Sequence, residues 1–495
     1  MMQSEADSSC LHEAFSQFED ILQSFQRHDQ PLLPRPTTLA HAESKLCGEL
    51  PEHGTGIQAV TQHLLNDISP ALNAGSLSPN YYGFVTGGLT TAARIGEGIV
   101  SLYDQNAAVH LPKETIATTV EHRALKLLLD LLRFDPDQWT GIFTTGATAS
   151  NILGLALGRE SVIDQAVEKR GGLKTVGEHG LLEACAAAEL TSIDIYTTMP
   201  HSSISKAASV VGIGRLHVHD VAISTSDIRF DLKKLEYALS TGTGKSAAIV
   251  AISCGEVNTG VFATDGLDSM KALRQICDQY GAWLHADGDS MKEFEELSKG
   301  VQGLELADSI TGDGHKMLNV PYDCGFFFSR SKTLAEHVFQ NANASYLNTS
   351  DNAIPSPLNI GLENSRRFRG LPVYASLICY GKSGYRDMLI RQVTLARQIA
   401  SFLNQHEAFE LLPHQPHRSS QEMMNNVFMI VLFKAKNAGL NQELVSKINM
   451  TRKMYVSGTK WDGSPASRIA IANWQVDVQR DLKIVQDVLD SVARQ

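Results

Sequence analysis

Long apolar runs, paired cysteines and an excess of basic charge are all missing from this sequence, and each absence closes off a class of protein. No stretch of the 495 residues approaches the ~18 consecutive apolar residues that a membrane-spanning helix needs, so no span is expected. The opening MMQSEADSSC is polar and acidic, without the basic and apolar regions of a secretory leader, and Ala493, Arg494 and Gln495 match no retention or peroxisomal tripeptide. The seven cysteines (Cys10, Cys47, Cys185, Cys254, Cys277, Cys324 and Cys379) are odd in number and scattered, with no C-x-x-C pair. That pattern fits buried small side chains in a reducing compartment, and a cytoplasmic location is expected. Lys and Arg number 43 against 54 Asp and Glu, a net charge of −11 with His neutral. A nucleic-acid binder would show a basic field, so that partner is not expected. A small anionic ligand needs only a few local donors and stays open.

A chain of this length suggests two to four domains at the usual ~150 residues each. Residues 11 to 25 place Leu11, Phe15, Phe18, Ile21, Leu22 and Phe25 at helical spacing, and Pro31, Pro34 and Pro36 end the pattern. Such an amphipathic helix needs a surface for its apolar face, in this chain or in a second subunit. From about residue 125 the pattern becomes strand, glycine turn, helix, repeated. Residues 247–252 and 326–328 read as buried strands and 266–280 and 331–339 as helices, which predicts an α/β fold with a large, mostly parallel sheet. A long helix over 385–403 leads into strand 427–433, helix 441–450, strand 468–472 and helix 476–492, a small C-terminal α+β domain. The expected division is an N-terminal helical, dimerising segment (1–85), a large domain (86–385) and a small one (386–495).

Three tempting motifs fail. Thr241-Gly242-Thr243-Gly244-Lys245-Ser246 has Leu239 where a phosphate loop needs its first glycine. Gly212-Ile213-Gly214 has His217 in place of the third glycine of a dinucleotide fingerprint. His406-Glu407 is followed by Glu410 rather than the second histidine of a zinc-protease helix. No other His or Cys cluster reads as a ligand set, and no metal is expected.

One set of residues makes chemical sense together. Gly314-His315-Lys316 sits before an apolar strand, where a lysine can form a Schiff base with a carbonyl cofactor or simply face water. Asp287 ends the apolar run Trp283-Leu284-His285-Ala286, at the strand end where α/β sheets bind ligands. A buried carboxylate there wants a cation, and a protonated pyridine would serve. Thr144 to Asn151, rich in small and hydroxyl residues, opens an apolar helix and offers N–H donors to a phosphate, or is an ordinary helix cap. Met199-Pro200-His201-Ser202 puts a histidine before a helix, where it can stack on a flat cofactor or be a plain loop residue. Asp287 precedes Lys316 by 29 residues, about one strand–helix–strand unit, so both can reach one sheet edge.

With these residues in view, the sequence resembles the group II pyridoxal-5'-phosphate (PLP) dependent amino acid decarboxylases, which include the aromatic amino acid, glutamate and cysteine sulfinate enzymes. The resemblance runs from about Tyr81 to Trp474. It is carried by GHKMLNVPYDCG (314–325), Pro200-His201-Ser202-Ser203 and Asn364-Ser365-Arg366-Arg367-Phe368. It implies the PLP-dependent transferase fold of type I and a cytoplasmic homodimer with its sites between subunits. It also implies conversion of an L-amino acid to its amine and CO2. An aminotransferase or a decarboxylation-coupled oxidative deaminase on the same scaffold is the alternative, and a non-catalytic partner protein a more distant one. By resemblance Lys316 binds PLP, Asp287 pairs with the pyridine nitrogen, and His201 stacks on the ring. Ala147 and Thr148 contact the phosphate with Asp313 and His315 nearby, and Tyr346 belongs to a mobile catalytic loop and protonates the substrate carbon. The segment with Tyr81, Tyr82, Phe84 and Thr86 is expected to line the substrate pocket, with His110 and Leu111 reaching in from the partner subunit. These aromatics favour an apolar or aromatic substrate, unless they are core. Two carboxylates depart from the family pattern, Asp289 after the pyridine-binding acid and Glu256 in the turn that follows Gly255.

Overall fold

The structure is a computed structural model that describes residues 2–26, 30–225, 227–242, 245–256, 258–288, 298–341, 354–413 and 419–494. A two-residue strand, β1 (Tyr81–Tyr82), comes first. The large sheet follows: β2 (Thr140–Thr144), β3 (Ser192–Thr197), β4 (Val218–Asp220), β5 (Ser246–Cys254), β6 (Trp283–Gly288), β7 (Ser309–Gly312) and β8 (Gly325–Ser329). Its order is β2-β8-β7-β6-β5-β3-β4, and only β8 runs against its neighbours.

Both faces of the sheet's centre are covered, so β5, β7 and β8 are buried on both sides, while β3, next to the edge, alternates. Phe326 and Phe328 of β8 pack on one face with helices Ala117–Leu131 and Leu267–Tyr280. Phe327 points to the other face, with helix Ala147–Glu168 and helix Ser202–Val210. The expected α/β architecture is therefore present, with the sheet mixed at one end.

The second sheet is β9 (Phe409–Leu412), β10 (Ile430–Ala435), β11 (Tyr455–Trp461) and β12 (Ser464–Ala470), ordered β1-β11-β12-β10-β9. Tyr81 and Tyr82 pair in parallel with Tyr455 and Val456, so the N-terminal part of the chain supplies an edge strand to the C-terminal sheet. Sequence reading left β11 out: its SGTK stretch is polar, and only pairing with β12 makes it a strand. The long helix also starts earlier than expected. It spans Gly370–Gln405 and bends at Gly381, whose φ of 57° and ψ of −172° lie outside helical values.

Two polar devices set the relation of these parts. Asn319 has φ 52°, a left-handed conformation that Asn tolerates better than most residues. Its Oδ1 accepts from Gly88 N (2.6 Å) and Trp474 N (2.9 Å), and its Nδ2 donates to Met317 O and Ala472 O (both 3.0 Å). One buried side chain thus ties the lysine turn to both the 83–90 loop and the end of the small sheet. Arg366 of the NSRRF motif is the second. It is fully buried and its Nη1 pairs with Glu121 Oε1 (2.5 Å) while also donating to Ala107 O (3.0 Å). Its Nη2 donates to Phe143 O (2.8 Å), fixing the end of β2 just before the helix that starts at Ala147.

Removing one member of a buried ion pair leaves the other charge unpaired, whereas removing both leaves an apolar void that can be filled. Arg366→Met is expected to lower unfolding stability by about 3–5 kcal/mol in urea titration. Glu121→Leu combined with Arg366→Met should recover most of that loss.

Candidate active site

Strand period and helix period meet at one place. Trp283, His285 and Asp287 lie on the same face of β6, two residues apart. Asn151, Gly154 and Gly158 form one face of the helix Ala147–Glu168, which packs against that strand. A Cβ on Gly154 would stand 2.4 Å from the His285 ring and one on Gly158 2.8 Å from Trp283, so the two glycines let the helix close on the aromatic side chains. Asn151 stands opposite Asp287.

The contact is a directed chain of hydrogen bonds. The Trp283 indole can only donate, and it donates to Ser309 Oγ (2.9 Å). Ser309 then donates to His285 Nδ1 (2.8 Å), and His285 Nε2–H donates to Asn151 Oδ1 (2.8 Å). Asn151 Nδ2 donates to Asp287 Oδ2 (3.0 Å) and to Ser203 Oγ (3.2 Å). Ser203 in turn faces His201 Nδ1 at 2.6 Å, and its backbone N–H donates to the same nitrogen (3.3 Å). His201 Nδ1 is thereby an acceptor, and the ring's proton sits on Nε2. Burial holds the His285 imidazole down at about 4, so it stays neutral, as the chain requires.

Asp287 ends this chain half-buried at the cavity wall. Burial pushes its carboxyl up to about 6, against the opposing pull of Asn151 and Lys316, with Asp313 adding to the rise. Among the described residues no cation comes within ion-pair distance of it. Lys316, in the short turn Gly314–Met317, instead holds its Nζ 2.6 Å from Asp313 Oδ2. Burial raises Asp313 as well, but Lys316, His315 and the Ala147 N–H (2.5 Å to Oδ1) outweigh it and leave the carboxyl below its ordinary value. His315 accepts Cys324 N–H on Nδ1 (3.2 Å), keeps Nε2 at 3.5 Å from Asp313, and is held below its ordinary pKa by burial.

Lys316, Asp287, His201, Ala147, Thr148, Asp313 and His315 all line one cavity of about 430 Å3. Sequence reasoning placed these seven together. The cavity has a buried carboxylate on its floor and a small-residue helix start at one side. Its amine-bearing wall is close-packed: a Cβ on Gly87 would meet Lys316 O at 2.2 Å. An anionic group near Gly146, Ala147 and Thr148 would face the N-terminal end of a 22-residue helix, where backbone donors and the helix dipole favour it. A cationic ring nitrogen near Asp287 would provide the missing countercharge. This donor set fits PLP.

The substrate-pocket expectations fare differently, and none of those six residues lines the cavity. Tyr81 stacks on Tyr455 (ring centroids 4.6 Å apart) because β1 pairs with β11. Tyr82 points the other way into the core of the small domain, where its hydroxyl accepts from Asn80 (3.0 Å). Phe84 is 61% exposed, and Thr86 is buried with its hydroxyl donating to Gly83 O (3.0 Å). His110 is buried with Nδ1 2.7 Å from Thr118 Oγ1, and Leu111 beside it is exposed. Val85 is the member of that loop that reaches the cavity. The apolar wall comes from Phe428, Met429 and Ile430 at the start of β10, where sequence reading saw only a strand. Glu256 turns into its own loop: Oε1 accepts Asn258 N and Oε2 accepts Thr259 N and Oγ1, all at 2.9 Å. Tyr346 and Asp289 lie outside the described residues.

Sequence reading also missed Arg468. It sits on β12, is 8% exposed, and donates from Nε to Ser457 Oγ (3.3 Å). Burial pulls its guanidinium below the ordinary value, with Glu256 opposing, and its charge is felt at His201. A lone Arg in an apolar strand (Ser467-Arg468-Ile469-Ala470) was the available signal.

A scaffold that brings a lysine, a half-buried acid and a histidine to one cavity at the end of a mostly parallel sheet is the arrangement expected of an enzyme built around PLP. Comparison with known proteins narrows the class. Residues 41–430 match the family model described as "Pyridoxal-dependent decarboxylase conserved domain". The chain is 27% identical over 319 residues to an L-2,4-diaminobutyrate decarboxylase of Acinetobacter baumannii, covering 62% of this chain and 58% of that protein. It is 24% identical over 381 residues to an aromatic-L-amino-acid decarboxylase of Bacillus atrophaeus, covering 74% and 72%. Its fold matches a crystal structure of Oryza sativa TDC with PLP and tryptamine at a TM-score of 0.80 and 20% identity, over 99% of this chain and 98% of that one. The chain belongs to the pyridoxal-dependent decarboxylase family, group II, whose cofactor is PLP.

The raised Asp287 has a consequence for the cofactor-free protein. A carboxyl at about 6 in the fold and 3.8 when unfolded stabilises the fold fully below pH ~4, and that contribution is lost as pH rises through about 6. Asp287→Asn does not titrate. Cofactor-free Asp287→Asn is therefore expected to match wild type near pH 4 and to exceed it by up to about 3 kcal/mol at pH 7 in urea titration. A constant difference across that range would refute the assignment of Asp287 as the raised group.

Proposed function

We propose that this chain is a PLP-dependent carboxy-lyase that converts an L-amino acid to its amine and CO2. The observation that carries this reading is the shared cavity of Lys316, Asp287 and His201 with the helix start at Ala147 and Thr148. When bound, PLP supplies the electron sink for the pair left on the substrate's Cα as CO2 departs. Lys316 provides the amine that bonds to the cofactor's aldehyde carbon. Asp287, as a carboxylate, would keep the proton on the ring nitrogen. His201 lays a neutral imidazole along the ring, its face set by Ser203. Ala147, Thr148 and the helix N-terminus take the phosphate, and Asp313 and His315 brace that end.

Arg468 is the group we assign to the substrate carboxylate, since it is a buried guanidinium near His201. Such a partner fixes the carboxylate's direction, and direction decides which bond at Cα breaks. The substrate side chain then meets Val85, Met317, Phe428, Met429 and Ile430, a wall that favours an uncharged group. Tyr346 is kept as the residue that returns a proton to Cα.

The same reading includes a homodimer and a cytoplasmic protein. Leu11, Phe15 and Phe18 on helix Met2–Gln26, and Ile95, Ile99, Leu102 and Tyr103 around helix Thr91–Tyr103, are exposed apolar side chains that a second copy would cover. In that dimer His110 and Leu111 would approach the other subunit's site. The seven cysteines are free, with Cys47 and Cys379 exposed, in keeping with a reducing compartment. The division at residues 85 and 385 is part of the proposal too, with β1 exchanged into the C-terminal sheet.

The test is a panel of L-amino acids that includes tryptophan, tyrosine, aspartate and 2,4-diaminobutyrate, offered to the PLP-loaded protein. Amine and CO2 in equal amounts, without aldehyde or keto acid, are expected for an uncharged substrate. Lys316→Ala should abolish turnover. Borohydride reduction of the wild type should leave the pyridoxyl mass on the peptide holding residue 316, and its appearance on another peptide would end the proposal. Arg468→Gln should raise KM by about tenfold or more while PLP stays bound.

A further inference from the structure

The free edge of the large sheet carries a second cluster that decarboxylation does not use. β3 alternates strictly: Ile193, Ile195 and Thr197 are buried, while Ser192, Asp194 and Tyr196 face outward. β4 is the edge strand and runs parallel to β3, with Ile195 opposite Val218 and Tyr196 opposite His219. Stepping the register back one residue sets Asp194 beside His217. Strand period then puts His217 and His219 on the same outward face.

The three side chains converge on one point. Asp194 Oδ1 is 2.9 Å from His217 Nδ1 and 2.9 Å from His219 Nε2. One ligand atom from each residue lies within 4.8 Å of the others. Ser192 Oγ holds the other carboxylate oxygen (2.9 Å), which leaves Oδ1 to the imidazoles and fixes its direction. The Tyr196 ring leans on His219 (centroids 5.4 Å apart) and limits its rotation. Asp194 is 15% exposed and the imidazoles are 41% and 43% exposed, so the cluster has a braced carboxylate and an open side to water.

We propose that Asp194, His217 and His219 form a binding site for a divalent transition metal ion, with zinc the best match. Two imidazoles and one carboxylate are a zinc-type donor set, with water completing the shell. Tetrahedral bonds of about 2.0–2.1 Å separate neighbouring ligand atoms by ~3.3 Å, so each imidazole needs to withdraw from Oδ1 by only a few tenths of an ångström. The proton each imidazole shares with Asp194 moves to its other ring nitrogen. When both rings start neutral no net proton is released, and the ion carries the charge that Asp194 meets. The metal would clip β4 and the turn before it to β3. The proposal departs from the expectation, read from the sequence, that no ligand set exists. His217-Val218-His219 was visible as a pair, but the third ligand lies 23 residues upstream and only strand register delivers it.

The site is independent of the decarboxylase reading and is tested on the PLP-loaded protein without measuring turnover. Chelator-treated wild type and His217→Gln/His219→Gln are dialysed against a zinc series at slightly alkaline pH, and bound metal is counted by elemental analysis. Glutamine keeps a hydrogen bond to Asp194, and matching circular dichroism and PLP absorbance check that the double variant is folded. Wild type is expected to hold one more zinc per chain than the double variant, and Asp194→Asn should weaken that site about tenfold or more. Zinc should raise the wild-type Tm and leave that of the double variant unmoved. Equal zinc uptake by wild type and the double variant, at any level, would overturn the proposal. If the double variant does not fold, cobalt substitution of wild type decides. A visible absorption band that is displaced by zinc and reduced in the single variant His219→Gln supports the site, and its absence refutes it.

Discussion

Everything near the cavity depends on one carboxylate, Asp287, packed deep in the protein and only partly open to the cavity. Burial alone would protonate such a group, and a protonated acid cannot hold a ring nitrogen in its charged form. The fold supplies a partial remedy in advance. Asn151 directs an N–H at Oδ2, and that amide is oriented through His285 and Ser309 by Trp283, whose indole can only donate. The chain offsets some of the cost of burial without neutralising the charge. A cation is still wanted, and on the proposed reading the cofactor ring would bring it.

The same chain explains why helix Ala147–Glu168 is tolerant of glycine in its interior, where glycine normally weakens a helix by ~1 kcal/mol. Gly154 and Gly158 face His285 and Trp283, and any side chain there would push the helix off β6. The start of that helix would move too, and with it Ala147 and Thr148. Phosphate end and ring end of the cavity are therefore positioned by one packing contact. Arg366 fixes the strand before the helix through Phe143 O, and Asn319 fixes the turn that bears Lys316. Two buried polar side chains, Arg366 and Asn319, set the places of helix start and lysine through backbone groups, and Asn151 sets that of the acid.

The large sheet and the cofactor residues were legible in the sequence because their signals are local. Lys316 sits in a contiguous motif, Asp287 ends an apolar strand, and the small residues before Ile152 announce a helix start. The long-range features were not legible. Tyr81 and Tyr82 read as pocket aromatics, yet pairing with β11 spends one on Tyr455 and buries the other. Nothing in a single sequence tells a reader that residue 81 joins residue 455. The places of Arg468, Phe428 and Ile430 were hidden for the same reason, since the small sheet had to be docked before Phe428 and Ile430 could line the cavity of the lysine. The cluster of Asp194, His217 and His219 makes the point again, being a product of register alone.

This division has a chemical logic. The seven residues that the cofactor would need hang on the large sheet and its crossover turns, where local geometry suffices to place them. Residues that would meet the substrate come from Val85, from the start of β10 and from β12, all on the other side of the Asn319 junction. A substitution in the small sheet can reshape the wall opposite Lys316 without disturbing the Trp283–Asp287 chain, because the two share no hydrogen bond among the described residues. Relatives named for a diamino acid and for aromatic amino acids, at 27% and 24% identity, are what such a separation permits. On the proposed reading, substrate choice would follow from how the second sheet docks on the first, and Phe428, Met429 and Ile430 are the positions through which that docking would act.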